Sequence, residues 1–382
     1  MPPSSRTINY DAVMSLCMEY IRDEMFYQIF TSTPLLSALY GGFGKKRRQG
    51  KGIRMINGGE RIRVPLMYGK NSTVMSYSGY DQLDVTPQDG ITTAFFDWRQ
   101  LAGSVAISRL EERKNSGENA IKNLLESKVT QLKMTMADEV NFQLWGKTLN
   151  SAGTAFVAGK GPTTSSTTGT DIDPISMLIP KDPTISMSIG NINQSTYDWW
   201  RPVIVDGAHA NGAKDSGATR GFAITNWATL GSAMRWIYNS LSKGAMRGSP
   251  DTIACDQLAY ESYEAALDSR SRIVNETSGP VTMGFESVRF KGADMIWDEM
   301  IPDMSGLYNY ESSSWTYGSM FFLNLDYLEL VVDSGTDFIT TPFVRPENQD
   351  AKVSQILAMM NLVCYNRKKC GMIYGLAVPY SS

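Results

Sequence analysis

The chain has 382 residues, 42% hydrophobic and 20% charged, a composition that excludes a largely disordered protein. Lys plus Arg is 36 against 39 for Asp plus Glu, a net charge of -3, which excludes a dedicated nucleic-acid binder but leaves room for a local basic patch. No apolar run approaches the roughly 18 residues of a membrane span, and the opening MPPSSR, followed by apolar residues interleaved with Asp11, Glu19, Arg22, Asp23 and Glu24, does not read as a secretory signal.

In chain order, Ile8 to Leu39 is predicted helical, with Met14, Met18, Ile21, Met25 and Ile29 near helical spacing and Pro34 interrupting the run. Tyr40 to Gly52, YGGFGKKRRQGKG, is glycine-rich and cationic; it fits a contact with nucleic acid or an acidic neighbour and equally a solvated linker. Gly52 to Ile107 reads as a long two-stranded flap. Ile62, Val64 and Leu66 alternate with Arg61, Arg63 and Pro65, a turn falls at Gly69-Lys70-Asn71, and a second arm returns from Ile91 to Ile107. Little in either arm is apolar enough to close a core, and an isolated two-stranded hairpin is marginal in water. Asn115 to Gly146 is the clearest helix, opened by Asn115 with Glu118 three residues on. Ile121, Leu125, Val129, Leu132, Met136 and Val140 form its stripe, and a rod of roughly 42 Å follows from 1.5 Å per residue.

Gly153 to Thr170 is a Gly/Ser/Thr loop. Phe222 to Leu241 is predicted helical, with Trp227, Leu230, Met234 and Ile237 on one stripe, and so is Gln257 to Ile273. Thr252–Cys255, Phe285–Phe290, Asp294–Trp297, Met320–Leu325 and Tyr327–Val332 read as strands. Lys352–Tyr365 and Cys370–Ala377 read as paired strands joined by the turn Asn366-Arg367-Lys368-Lys369. The fold class is therefore α+β.

Nothing reads as an enzyme site, a metal site or a cofactor site. GTAFVAGKG at Gly153–Gly161 has the wrong glycine spacing for a P-loop, and Gly161 stands where Ser or Thr is needed. DSGT at Asp333–Thr336 matches the aspartic-protease signature, but that chemistry needs two carboxylates sharing a proton, and one copy per chain requires a symmetric dimer. His209, the single histidine, lies in a glycine-rich loop without a flanking motif. Asp171 and Asp173 lack the further ligands of a calcium loop. Cys17, Cys255, Cys364 and Cys370 are scattered and suggest neither a zinc site nor a disulfide framework.

The order of helical arm, flap, spine helix, mixed region and closing strands resembles the major capsid protein of a tailed bacteriophage, with the Hong Kong ninety-seven fold. RIRVPLMYGKNSTVMSYSGYDQLDV resembles the extended loop (E-loop) of that family, and VAISRLEERKNSGENAIKNLLESKV its passage into the spine helix. NINQSTYDWWRP resembles the motif before the axial domain. FKGADMIWDEMIP and MFFLNLDYLELVV resemble late axial strands, and QDAKVSQILAMMNLVCYNRKKCGMIYGL the closing peripheral strands.

The resemblance implies an N-terminal arm at 1–51, an extended loop at 52–107, a peripheral domain at 108–222 with its spine helix at 116–146, an axial domain at 223–340, and peripheral closing strands at 341–382. It implies a non-enzymatic subunit, without cofactors, that self-assembles as hexamers and pentamers of an icosahedral virion head around double-stranded DNA. Assembly in the host cytoplasm with a scaffolding protein, a portal and a decoration protein is part of the same expectation. Inter-subunit contacts are expected from Arg61, Arg63, Tyr68, Lys70, Asn71, Tyr77, Tyr80, Asp81 and Asp84 of the loop, which would fold onto a neighbour. A DNA-facing basic segment is expected from Lys45, Lys46, Arg47, Arg48, Lys51 and Arg54. The alternative within the fold is an encapsulin-like compartment shell; the alternative of another class is an aspartic protease using Asp333.

Overall fold

The computed structural model describes residues 34–41, 52–114, 124–149, 156–158, 169–208, 217–244, 248–268, 288–301, 318–346 and 350–376. The arm helix before Pro34, Lys45 to Lys51, the start of the spine helix and His209 lie outside the described residues. Pro34 stands at the first described position of helix α1 (Pro34–Gly41); its fixed φ and missing N–H suit a first helical position.

The strands are β1 (Ile53–Ile56), β2 (Ile62–Met67), β3 (Ile91–Phe96), β4 (Arg99–Ser108), β5 (Lys147–Leu149), β6 (Phe156–Ala158), β7 (Ser188–Ile189), β8 (Ile192–Asn193), β9 (Val203–Asp206) and β10 (Arg220–Gly221). They continue with β11 (Thr252–Cys255), β12 (Val288–Phe290), β13 (Ala293–Trp297), β14 (Gly318–Leu323), β15 (Leu328–Asp333), β16 (Ile339–Thr340), β17 (Ala351–Cys364) and β18 (Gly371–Leu376). After α1 come the helices α2 (Arg109–Lys114), α3 (Leu124–Leu144), α4 (Ile175–Leu178), α5 (Trp227–Leu241) and α6 (Gln257–Asp268).

Two sheets carry the fold. The larger has the order β10-β9-β18-β14-β11-β13-β12. Its central strands β18, β14 and β11 are buried throughout without alternation, because both faces are covered. Val205, Ile253, Met320, Phe322 and Ile373 face Leu230, Met234 and Ile237 of α5 and Tyr260 of α6. Their neighbours Ile204, Ala254, Phe321, Leu323 and Met372 point the other way, into the main core. The smaller sheet is built on β17: β15 and β16 pair with it, β1 runs parallel to β15, and all of β4 lies antiparallel along it from Ser108↔Ala351 to Arg99↔Met360.

The last two strands are not the hairpin the sequence suggested. β17 belongs to the smaller sheet and β18 to the larger, between β9 and β14. β14 and β15 separate in the same way, so the chain crosses between sheets twice, side by side, with Tyr365 N–H donating to Tyr327 O at 2.8 Å. Sheet membership therefore cuts across the linear division: β9, β10 and β18 join the sheet of α5 and α6, while β15 and β16 join the sheet of β4.

The spine helix α3 rests on β4, with Leu132 and Met136 packed closely over Gly103. A Cβ on Gly103 would come within 2.7 Å of Leu132 Cδ1 and 3.1 Å of Met136 Sδ. At its far end Trp145 stacks at an angle on Phe321, 5.3 Å between centroids, and donates Nε1–H to Asp298 at 3.1 Å, tying the spine to the larger sheet. The predicted stripe buries Met136 and Val140, while Val129 and Leu132 are half-buried.

Arg367 sits in the second crossing and is almost fully buried. Its Nε donates to Leu178 O at 2.8 Å, Nη1 to Trp200 O at 3.1 Å and Nη2 to Gln194 Oε1 at 2.9 Å, and its guanidinium lies 5.7 Å from the Trp200 ring centroid. Burial lowers its pKa to about 10, so it remains a cation at neutral pH. Arg367→Met leaves three buried acceptors without donors, each worth about 1–3 kcal/mol. The variant is expected to lose about 3 kcal/mol or more, measured as a lower urea midpoint. Arg367→Lys is expected to restore little, because one ammonium cannot reproduce the fork that spans three segments.

Candidate functional site

The flap divides into two parts with different physics. Its base is the β2–β3 ladder, from Ile62↔Phe96 to Met67↔Ile91. The returning arm leaves the flap after Phe96, and β4 belongs to the β17 sheet. Ile62, Val64 and Leu66 are buried together with Ala94 and Phe96, and they pack in the main core with Met187, Ile189, Ile192 and Trp200. The base thus has a seat on its own chain, which corrects the expectation of a flap without an intramolecular core. The alternation of β2 provides one wholly apolar face, and the seat comes from residues more than a hundred positions later.

That seat is a tight hairpin. Gly190 and Asn191, between β7 and β8, have φ of 62° and 64°, the left-handed pair of a two-residue turn. Gly190 is required twice: a Cβ there would also lie 2.9 Å from Ala94 Cβ and 3.2 Å from the Phe96 ring. Its carbonyl accepts Phe95 N–H at 3.0 Å. Trp200 Nε1–H donates to Ile189 O at 3.0 Å, so the residue that stacks under Arg367 also holds the hairpin beneath the flap. The signal was legible as a Gly-Asn pair between Ile189 and Ile192.

Where the flap meets the body, Asn361 of β17 donates Nδ2–H to Asp97 O at 2.7 Å and to Asp173 Oδ2 at 3.0 Å, and accepts Asp173 N–H at 2.9 Å. Arg99 Nη2 lies 3.2 Å from Asp173 Oδ1. Burial raises the Asp173 pKa against the lowering effect of Arg99. Asp173 is thus a structural tie, and among the described residues no group of three or more His, Cys, Asp or Glu could hold a metal ion.

Beyond the base the flap is exposed. Gly69 and Gly90 pinch its neck, with Tyr68 N–H donating to Gly90 O at 2.9 Å. Local polar contacts shape the tip: Asn71 Oδ1 accepts Thr73 N–H at 2.9 Å, Asp81 Oδ2 accepts Ser78 N–H at 2.7 Å, and Asp84 Oδ1 accepts Thr86 N–H at 2.9 Å. The Thr86 hydroxyl and amide hold the Asp84 carboxyl below its usual range. Apolar side chains are left in water: Val74 is 83% exposed, Tyr77 66%, Tyr80 104% and Val85 89%.

The residues singled out in the sequence fall on both parts. Arg61 pairs with Asp97 at 3.1 Å, and Arg63 lies 5.8 Å from the Phe95 ring centroid. Tyr68 stacks on Trp199, 5.2 Å between centroids. Lys70, Asn71, Tyr77, Tyr80, Asp81 and Asp84 lie on the exposed tip. Arg54 is on β1 and donates to the Tyr365 hydroxyl at 3.2 Å, which itself donates to Glu329 at 2.5 Å. The other basic residues, Lys45, Lys46, Arg47, Arg48 and Lys51, lie outside the described residues.

Asp333 ends β15 and is spoken for. Oδ1 accepts Gly58 N–H at 2.9 Å and Oδ2 accepts the Thr336 hydroxyl at 2.7 Å. The Thr336 hydroxyl, then the Gly58 amide, hold its carboxyl below the usual range. A dyad sharing a proton requires one raised carboxyl. Cys255, Cys364 and Cys370 are buried and unbridged.

No family model matches the chain, and no curated protein matches it in sequence. Solved structures do match in fold. The capsid of Cyanophage A-1(L) superposes with a TM-score of 0.58 at 13% identity, over 94% of this chain and 96% of that one. The capsid of Myoviridae phage XM1 gives 0.52 at 11%, over 94% and 97%. The holo-SrpI encapsulin complex from Synechococcus elongatus PCC 7942 gives 0.51 at 8%, over 97% of each chain. The overlap is nearly complete, and the chain has the tailed-phage major capsid protein fold, α+β and Hong Kong ninety-seven-like.

Proposed function

We propose that the chain is the major capsid protein of a tailed phage, a virion component whose copies close into an icosahedral head of hexamers and pentamers around packaged double-stranded DNA. One observation carries this reading within the shell-forming fold. The flap base is seated on its own chain, and the tip beyond it exposes Val74, Tyr77, Tyr80 and Val85 with no core to enter. A neighbouring copy that covers the tip removes this apolar surface from water, at about 25 cal/mol per Å². Arg61, Arg63, Lys70, Asp81 and Asp84 form a charged rim suited to setting register, and Tyr68, Asn71, Tyr77 and Tyr80 supply the contact.

On this reading the β17 sheet with the spine helix is the peripheral domain, and the larger sheet with α5 and α6 is the axial domain. Lys45, Lys46, Arg47, Arg48, Lys51 and Arg54 face packaged DNA without sequence preference. A scaffolding protein, a portal and a decoration protein are its assembly partners in the host cytoplasm. The encapsulin in the fold comparison supports a second reading, a compartment shell around protein cargo. Negative-stain images separate shell from non-shell, and nucleic acid against protein content of purified shells separates the two readings.

Replacing residues 69–90 by a short Gly-Ser linker tests the tip, because the neck glycines are already adjacent. The subunit is expected to fold with an unchanged thermal midpoint, and closed shells are expected to fail or fall apart. An unfolded subunit, or normal shells, overturns the assignment. Asp333→Asn tests the protease alternative: neither wild type nor variant is expected to cleave peptides at acid pH. The wild type should also lose the Asp333 contribution to stability only as pH falls through its lowered carboxyl pKa.

A further inference from the structure

The spine helix carries two polar side chains for which no hydrogen bond or ion pair is found among the described residues. Asn141 is fully buried, and neither its Oδ1 nor its Nδ2 has a hydrogen-bond partner. Asp138, three residues earlier and on the same side of the helix, is 8% exposed. No hydrogen bond or ion pair reaches its carboxylate among the described residues. The other buried carboxylates among the described residues are all held: Asp173 by Arg99 and Asn361, Asp206 by Ala208 N–H, Asp298 by Trp145 and Met300 N–H, Glu329 by Tyr365, and Asp333 by Gly58 N–H and Thr336.

The surroundings explain why nothing compensates Asp138. One turn away along the helix stand Met134, Thr135, Asn141 and Phe142, none of them charged. The Thr135 hydroxyl is turned back to Gln131 O at 2.9 Å. Among the described elements, β4, β5 and α1 make the most extensive contacts with the helix. α1 has Tyr40 as its single ionisable residue, β4 has Arg99, and β5 has Lys147. Arg99 is held by Asp173 and Gly169 O. Burial alone acts on Asp138 and raises its carboxyl pKa to about 6.

We infer that Asp138 makes the seating of the spine helix proton-controlled: the neutral carboxyl favours the packing seen here, and the ionised form favours arrangements in which it reaches water. The sign follows from linkage. A carboxyl raised in the folded state contributes stability that is complete below its unfolded pKa, near 3.8, and is lost as pH rises through about 6. The inference concerns one subunit and stands apart from the assembly reading.

The test is the full-length subunit against Asp138→Asn, each unfolded by urea between pH 4.5 and 7.5. Taking the difference between the two cancels the other titrating groups. The variant is expected to gain on the wild type as pH rises from 4.5, by on the order of tenfold to a hundredfold in the folding equilibrium, with the gain levelling off above about pH 6. A pH-independent difference, or a wild type that gains on the variant toward pH 7.5, overturns the inference. Should Asp138→Asn fail to fold, hydrogen exchange of wild-type amides 124–144, corrected for intrinsic rates, decides the same point. Protection that falls between pH 5 and 7.5 supports proton control, and protection that is constant or rises overturns it.

Discussion

The guanidinium of Arg367 is the constraint on which the rest of the molecule depends. A buried cation is costly unless every donor is used. Here carbonyl dipoles from Leu178, Trp200 and Gln194 accept from all three nitrogens, and no carboxylate is involved. Because those acceptors come from separate points of one irregular stretch, a single side chain fixes the shape of residues 178–200. That stretch carries the β7–β8 hairpin, and the hairpin carries the flap. The route from the closing strands to the flap is therefore a chain of contacts: Arg367 to Trp200, Trp200 to Ile189, Gly190 to Phe95.

A flap anchored in this way differs from a free hairpin. Burying Ile62, Val64, Leu66, Ala94 and Phe96 within the subunit fixes the direction in which the flap leaves the body. Only the tip beyond Gly69 and Gly90 is then left outside that core. On the proposed assembly, preorganisation of this kind lowers the entropic cost of association, which otherwise consumes much of the gain from buried area. Turns closed by Asn71, Asp81 and Asp84 shape the tip without any core.

The double crossing at 323–328 and 364–371 distributes each sheet along the whole chain. The larger sheet cannot be completed until β18 arrives, and β4 finds its partner only in β17. Neither sheet is built from one contiguous stretch of chain. The spine helix spans them, resting on β4 through Gly103 and reaching the larger sheet through Trp145.

Much of this was legible in the sequence. The strands from Thr252 onward, the helix stripe of Leu230, Met234 and Ile237, and the spine stripe through Met136 and Val140 all follow from periodicity, which is a local property. The exposed tip followed from its turn residues, and the order of segments pointed to the capsid fold. What tertiary structure alone decided is where the strands pair and which polar residues turn inward. NRKKC reads as a solvated turn, yet Arg367 and Lys369 are buried and only Lys368 faces water. Lys369 caps the end of α5 by donating to Leu241 O at 3.1 Å, and Arg367 serves a stretch far earlier in the chain. A charge run carries no record of its acceptors, because backbone carbonyls are the same at every residue. Their availability depends on which ones the fold leaves unpaired, and that is settled only when distant segments meet.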